Sequence, residues 1–178
     1  MEIVMRGIPF LGMLFALLML NTVAPVAQAS PELAVVQCVA GGSSAYSPGL
    51  TMTARPIDIT GEGTFNTCLG DSAVSGGTYT FTAHSDSLAC TLGDATSTVK
   101  INWLPLNVTS TVDLAIARSV RPGGETAAVI TGTITAGRYV GASYTSLAVI
   151  VNPAAGACLS DPGVVSSTGT GTITILKA

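Results

Sequence analysis

Apolar and polar residues alternate along most of the chain after residue 30, and no stretch there has the spacing of an amphipathic helix. The alternation is clearest in residues 78–84, 99–103, 112–116, 130–135 and 172–175. A period of two places successive side chains on opposite faces of a β-strand. Clusters of Gly, Pro, Asp and Ser separate these runs and are typical of turns. The pattern therefore predicts about eight or nine short strands.

Two runs depart from this simple alternation. Residues 50–59 keep an apolar face that changes parity at Pro56, and proline cannot donate a hydrogen bond to a strand ladder. We therefore expect a bulge at this point, or a crossing from one sheet to another. Residues 147–151 are apolar throughout, which is typical of a central strand covered on both faces.

Short strands without helices favour an all-β domain. We predict a two-sheet antiparallel sandwich of the immunoglobulin-like or Greek-key type. An up-and-down β-barrel is the alternative, because evenly spaced short strands are common to both architectures. In either fold, the alternation places Tyr79, Phe81 and Trp103 in the core rather than on an exposed sugar-binding surface.

The first thirty residues have the organisation of an export signal. The apolar run of residues 8–20 is shorter than the roughly twenty residues of a membrane-spanning helix. The small-x-small segment Ala27-Gln28-Ala29 follows it and is typical of a signal-peptidase site. We predict a signal peptide over residues 1–29 and one secreted domain over residues 30–178, without stable membrane insertion after cleavage. An uncleaved anchor is the alternative.

The start of this signal is weakly charged, because Glu2 cancels Arg6. If translation begins at Met5 instead of Met1, the segment opens with the positive charge that export signals usually carry. The sequence leaves both starts open.

Charged residues make up only 10% of the chain, and the net charge is −3. Nucleic-acid binding requires a clustered basic surface, so this composition argues against a nucleic-acid partner. The many Thr residues suit the exposed faces of strands.

The four cysteines, Cys38, Cys68, Cys90 and Cys158, all follow the predicted signal peptide. An even number of cysteines in an exported chain predicts disulfides. No C-x-x-C pair is present, which argues against a zinc site. From the spacing alone, three ways of pairing four cysteines stay open.

His84 is the only histidine, so any serine-histidine-aspartate site must use it. Ser85 and Asp86 follow directly, but neighbours on a strand point to opposite faces and do not form a triad. His84 shares its face with threonines, and we expect it to be solvated. Asp58 and Glu62 are the carboxylates that could approach one another for glycoside hydrolysis, although solvated charges are the favoured interpretation.

Several segments carry a resemblance to a known group. They are Cys38, Tyr46-Ser47-Pro48-Gly49-Leu50, residues 132–142, Cys158-Leu159 and residues 168–173. Together they resemble a group of small secreted, cysteine-paired β-rich proteins of actinomycetes that has no assigned function. The resemblance implies a β-rich fold and favours the pairs Cys38–Cys68 and Cys90–Cys158. It carries over no catalytic, cofactor or metal-binding residue.

A weaker resemblance is to avidin-like barrels, through Gly77-Thr78-Tyr79-Thr80 and Ile101-Asn102-Trp103. The ligand cavity of that family depends on several tryptophans, whereas this chain has one.

The sequence thus favours a non-catalytic extracellular module with a structural, adhesive or binding role, as a possible component of the cell envelope. The alternative is a barrel that carries a small ligand in an apolar cavity, and a secreted hydrolase is less favoured. We predict no catalytic residue, no metal site and no cofactor, and the partner is unknown. Tyr46, Tyr139 and Tyr144 lie near glycine-rich segments and are the candidates for surface contacts.

Overall fold

A computed structural model describes residues 33–120, 126–151 and 155–177. The predicted signal peptide, residues 1–29, lies outside the described residues. The described residues form eight strands that make one closed antiparallel barrel, in which each strand pairs with the next and the last pairs with the first. The strands are β1 (Leu33–Leu50), β2 (Arg55–Leu69), β3 (Gly76–Leu88), β4 (Leu92–Leu104), β5 (Val108–Val120), β6 (Thr126–Gly137), β7 (Ser143–Val151) and β8 (Val164–Lys177), with a short 3₁₀ helix (Ala155–Leu159) before β8.

The predicted sandwich is wrong, and the alternative of an up-and-down barrel fits the structure. The difference lies in the pairing of β1 with β8, which runs from Leu33 opposite Lys177 to Leu50 opposite Val164. This pairing closes the sheet on itself. Alternation fixes which face of a strand is apolar, but a sandwich and a barrel require the same alternation.

Alternation did predict the buried face of the central strands. In β4, the side chains of Val99, Ile101 and Trp103 are buried, whereas Lys100 is exposed. Threonines occupy most of the outer positions on β3, where a β-branched polar side chain suits a solvated strand face. The barrel interior is therefore mostly apolar, and threonines form much of the outer face of β3.

The change of parity near Pro56 has a local cause. β1 ends at Leu50, residues 51–54 form the turn, and Met52 is exposed. The pairing of β2 with β3 shifts register between Arg55 and Ile57, so Pro56 lies at a bulge. The expected bulge is confirmed, and the alternative of a crossing between sheets is wrong because only one sheet exists.

The apolar strand β7 is not covered on both faces. Ala148 and Ile150 face the interior, while Leu147 is 59% exposed and Val151 is 49% exposed. A barrel strand has one face toward the interior and the other toward solvent, which leaves the outer apolar side chains uncovered.

We call the end of the barrel that holds Trp103 the lower end. Its buried core includes residues from β1, β2, β4, β5, β6, β7 and β8, with Tyr79 and Phe81 of β3 packed against it. The indole Nε1 of Trp103 donates to Ser110 Oγ at 2.9 Å, and Ser110 Oγ donates to the carbonyl oxygen of Arg138 at 2.6 Å. The edge of Tyr139 meets Trp103 with ring centroids 5.6 Å apart. Side chains therefore close this end.

Asp71 ties the lower turns together. Its carboxylate accepts a hydrogen bond from the Tyr139 hydroxyl at 2.6 Å and forms an ion pair with Arg138. The Asp71 side chain is only 19% exposed. The hydrogen bond from Tyr139, and next the one from Arg138, lower the pKa of Asp71 to about 2. Asp71 is therefore ionised at neutral pH and holds the turn that contains Tyr139.

The opposite, upper end is closed by connecting segments. A disulfide joins Cys90, in the β3–β4 turn, to Cys158, in the 3₁₀ helix that precedes β8. The β1–β2 turn lies between them, since Met52 N donates to Cys158 O at 3.0 Å and Cys90 N donates to Thr51 O at 2.9 Å. The β3–β4 and β7–β8 connections come from opposite sides of an eight-stranded barrel, so this disulfide spans the upper end.

The other disulfide joins Cys38 of β1 to Cys68 of β2 near the lower end. Both bonded pairs are those that the resemblance implies. Two intramolecular disulfides are typical of proteins that fold in an oxidising, extracellular compartment. In the ranges that the structure describes, no helix has the length and apolar character needed to span a membrane.

Candidate functional site: a cavity inside the barrel

A cavity of about 130 Å³ lies in the barrel interior between the two end cores. An eight-stranded barrel is wide enough either for a core filled by side chains or for one small ligand. Here the interior is only partly filled. Side chains from all eight strands line the cavity, among them Ser44, Tyr46, Ile59, Tyr79, Phe81, Ser97, Leu114, Ile116, Ile130, Ser146, Ile150 and Ser167.

The strand register explains where this space comes from. Phe81 of β3 pairs with Gly61 of β2, Gly61 pairs with Ser44 of β1, and Ser44 pairs with Ser167 of β8. Four neighbouring strands thus present a ring, a glycine and two serines in one row. Because the residues of β2, β1 and β8 in this row have small side chains or none, they leave space unfilled in the barrel interior.

The adjacent row repeats this arrangement. Tyr79 of β3 pairs with Gly63 of β2, which pairs with Gly42 of β1, which in turn pairs with Gly169 of β8. A Cβ atom on Gly63 would clash with the backbone oxygen of Gly41 and would lie 2.5 Å from the Tyr79 ring, so a larger residue there fits neither the strand pairing nor this ring. The glycines let the rings lie against the wall and leave the centre of the barrel free.

The rings form a continuous stack along one side of the interior. Phe65 lies 5.6 Å from Trp103 and 4.8 Å from Tyr79, and Tyr79 lies 6.4 Å from Phe81, measured between ring centroids. Adjacent rings are inclined by only 24–26°. The stack begins in the lower core and reaches the cavity at Phe81, which is half-buried. One side of the cavity is therefore aromatic.

Hydroxyl groups lie on the other sides. Tyr46 OH and Ser167 Oγ are 2.7 Å apart and buried. Tyr144 hydrogen-bonds Ser146 on β7. Ser97 on β4 donates to the carbonyl oxygen of Thr82 at 3.0 Å. A hydroxyl offers one donor and two acceptor positions, so one internal hydrogen bond leaves Ser167 with capacity for a ligand.

No charged side chain lines the cavity among the residues that the structure describes. Burial raises the pKa of the Tyr79 and Tyr144 hydroxyls, so both stay neutral well above physiological pH. Transfer of an ion into such surroundings without a partner is strongly unfavourable. The cavity therefore suits an uncharged molecule.

For the six candidate aromatic residues, the structure confirms part of the placement predicted from the sequence and contradicts part of it. The prediction that Trp103, Tyr79 and Phe81 face the core is confirmed, with Trp103 fully buried and the other two half-buried beside the cavity. The prediction that Tyr46 and Tyr144 make surface contacts is wrong, because both are buried. Tyr139 is half-buried and holds Asp71 at the lower end.

His84 lies on the outer wall, as expected for a solvated side chain, and is 53% exposed. Its Nδ1 is 2.7 Å from Asp58 and its Nε2 is 3.3 Å from Asp86. The hydrogen bond to Asp58, followed by the one to Asp86, raises the pKa of His84. Ser85 is buried on the opposite face of β3, so the three consecutive residues do not form a triad. Both imidazole nitrogens of His84 therefore contact carboxylates, Asp58 at one and Asp86 at the other.

The carboxylate pair considered from sequence is not formed. Asp58 is joined to His84 across the β2–β3 pair, and Glu62 is exposed further along β2. Across residues 33–120, 126–151 and 155–177, no group of three or more His, Cys, Asp or Glu side chains has the geometry to hold a metal ion.

Sequence reasoning missed the small residues that create the cavity. The signal was present as glycines two positions apart, Gly61 with Gly63 and Gly169 with Gly171, which lie on one face of a strand. Interior positions that carry no side chain mark a close approach of another group or an unfilled space.

No model of a known protein family, no curated protein and no solved structure matches this chain. The resemblance to secreted actinomycete proteins stays a prediction. The geometry of the barrel therefore carries the evidence for function.

Proposed function

We propose that this protein is a secreted binding protein that holds a small uncharged molecule inside its barrel. The observation that carries the proposal is the interior cavity of about 130 Å³, which joins an aromatic side to hydroxyl-bearing sides. Apolar walls with a few placed polar groups are the usual composition of small-molecule sites. Secretion is part of the proposal and is supported by the two disulfides.

The size of the cavity sets the size of its ligand. A cavity of about 150 Å³ lined by apolar side chains binds benzene, so the present cavity suits a molecule with a single ring or a comparable chain. This is below the roughly 300 Å³ of drug-sized sites. A large lipid or a polysaccharide does not fit in this volume.

A ligand-binding barrel has more support than a structural or adhesive module. An adhesive role rests on surface features, whereas the distinctive grouping of aromatic rings, glycines and hydroxyls lies inside. The outer carboxylates Asp58 and Asp86 are engaged by His84, which gives a hydrolase less support.

The proposal is tested with a library of uncharged compounds of up to about ten non-hydrogen atoms, the range that such a cavity admits. Binding is followed by the NMR methyl signals of Ile59, Leu114, Ile130 and Ile150, which line the cavity. We expect saturable shifts of these interior signals with some members of the library.

A matched pair of variants locates the binding. A Cβ atom on Gly169 would meet Val149 O at 3.4 Å and Ile150 Cγ1 at 3.7 Å, so Gly169→Val is accommodated at the backbone and fills the cavity. Gly41 pairs with Thr170 beside it, and a Cβ atom there would meet only Gly169 O, at 3.9 Å, so Gly41→Val is the control. Binding should disappear in the first variant and persist in the second. The proposal is wrong if no compound shifts the interior signals, or if Gly169→Val binds as the wild type does.

A further inference from the structure

We infer that the ligand is a monocyclic aromatic compound that carries one hydroxyl group, with its ring beside Phe81 and its hydroxyl at the Tyr46–Ser167 pair. This inference rests on the proposed function and names its ligand class. Phenol is the simplest member of the class and serves as the probe. The inference depends on the juxtaposition of a ring, a flat floor and a hydroxyl pair along one row of paired residues.

The ring end of this row is Phe81. It is the last member of the stack that begins at Trp103, and its neighbour Tyr79 lies 6.4 Å away at 26°. No further aromatic pair continues the stack among the described residues. Aromatic rings attract one another in offset or edge-to-face arrangements. A ligand ring in the cavity would extend the stack by one member.

The floor beside this row is formed by small residues of β1 and β8 that line the cavity, namely Gly42, Ser44, Gly169 and Gly171. Gly61 and Gly63 of β2 lie beneath the Phe81 and Tyr79 rings, which pack directly against them. Backbone and small side chains therefore form the surface between the Phe81 ring and Ser167. A flat ring lies closely on such a surface, whereas a puckered aliphatic ring of the same size has axial hydrogens on both faces.

The hydroxyl end of the row is Ser167 with Tyr46. Their oxygens are 2.7 Å apart, and Ser167 is buried. Ser44 lies next to Ser167 in the register, so hydroxyl groups from β1 and β8 meet here. A ligand hydroxyl at this position both donates and accepts, which matches the capacity of a serine hydroxyl. Ser97 lies on β4, on the opposite side of the barrel, and its hydroxyl is directed to Thr82 O.

The absence of charged side chains among the described lining residues excludes the ionised relatives of phenol. No lysine, arginine or histidine side chain among the described lining residues can partner a carboxylate, and no aspartate or glutamate can partner an ammonium group. Benzoate and anilinium ions match phenol in ring size but carry a charge. We expect neither to enter the cavity.

The experiment compares benzene, phenol, cyclohexanol and benzoate by the interior methyl shifts of the full secreted chain. We expect phenol to bind about fivefold more tightly than cyclohexanol because of the aromatic contact. We also expect phenol to bind about fivefold more tightly than benzene because of one hydrogen bond. Benzoate should not bind.

Variants of single lining or neighbouring residues separate the hydroxyl anchor from the cavity as a whole. Ser167→Ala should weaken phenol binding about fivefold while leaving benzene binding unchanged. Ser166→Ala removes an exposed hydroxyl from the outer face of β8, next to Ser167, and should change neither. Ser97→Ala removes a hydroxyl on the opposite side of the cavity and tests whether the anchor lies there instead. Phe81→Leu should bring phenol down to the affinity of cyclohexanol, and circular dichroism checks that each variant keeps its β structure.

The outcomes distinguish this inference from the proposed function. If cyclohexanol binds as well as phenol and both are lost in Gly169→Val, the barrel binds ligands but the aromatic class is wrong. If Ser97→Ala weakens phenol more than Ser167→Ala does, the hydroxyl anchor is misplaced. If none of the four compounds and no library member binds, the proposed function itself fails.

Discussion

The two ends of the barrel are closed in different ways. At the lower end, the buried core draws on β1, β2, β4, β5, β6, β7 and β8, and rings of β3 pack against it. At the upper end, the buried core comes from β1, β2, β3, β4, β8 and the turns beside them. Among the described residues, β6 and β7 add no side chain to this upper core, and β5 adds only the partly buried Ile116.

This difference shows how one barrel can be both stable and partly hollow. A buried core from seven strands, with rings of the eighth packed against it, holds the ring of strands closed at one end. The one-sided core at the other end leaves the inner faces of β6 and β7 beside the cavity, where Ile130 and Ile150 are half-buried. We expect the lower end to dominate stability and the upper end to control ligand exchange.

The largest expected effect is at the lower end. Trp103→Ala removes a fully buried side chain and its hydrogen bond to Ser110. Loss of a buried tryptophan costs about 5 kcal/mol, through lost burial and a new cavity. Urea denaturation followed by circular dichroism measures this change. Leu104→Ala, at the exposed neighbouring position, is the control and should cost about 0.5 kcal/mol or less.

The upper end is tested by removing its disulfide. Serine substitution of both Cys90 and Cys158 opens a loop of 68 residues, which lowers stability by about 4 kcal/mol in the loop-entropy account. Because this disulfide spans the upper end, we also expect phenol to exchange faster, as measured by NMR line shapes.

The second disulfide gives the matched control for exchange. Serine substitution of Cys38 and Cys68 opens a loop of 30 residues and should cost about 3.5 kcal/mol. It joins neighbouring strands near the lower end, so ligand exchange should keep its wild-type rate. Equal acceleration of exchange in both double variants would contradict the distinction between the two ends.

Acid sensitivity belongs to the lower end. The pKa of Asp71 is about 2 in the folded chain, compared with 3.8 as its ordinary value. Ionised Asp71 therefore stabilises the fold above about pH 4, and this contribution of about 2 kcal/mol is lost as the pH falls toward 2. Asp71→Asn should reduce stability by this amount at pH 7 and by little at pH 2. Asp94→Asn, at an exposed carboxylate on β4, is the control for the loss of one negative charge.

The smallest expected effect lies on the outer wall. His84 has a raised pKa, first because of Asp58 and then because of Asp86. Any stabilisation by protonated His84 is thus present below pH 6.5 and is lost as the pH rises through its folded pKa. NMR titration should give a value above 6.5, and Asp58→Asn should lower it more than Asp86→Asn. A larger effect of Asp86→Asn would show that the two contacts are ranked wrongly.

The sequence predicted the faces of individual strands better than their assembly. Val99, Ile101 and Trp103 were placed inside because alternation is a local property of one strand. Closure depends on β1 meeting β8, at the two ends of the domain, and no local pattern encodes that pairing.

The cavity was harder to predict because it results from glycine and serine positions, where the side chain is absent or small. Tyr46 and Tyr144 were expected at the surface since glycines lie near them in sequence. Gly41, Gly42 and Gly49 lie within β1, whereas Gly141 lies in the β6–β7 turn, and both tyrosines are on the inner face of their strands. Whether a glycine marks a turn or an unfilled space depends on the strands around it.

A crystal structure of the protein grown with phenol, at a concentration that saturates binding in solution, tests ligand binding inside the barrel most directly. We expect one phenol inside the barrel, with its ring in contact with Phe81 and its hydroxyl within hydrogen-bond distance of Ser167. In Gly169→Val this density should be absent. An interior without phenol in the wild type, or phenol bound only on the outer wall, would show that the barrel interior is not the binding site.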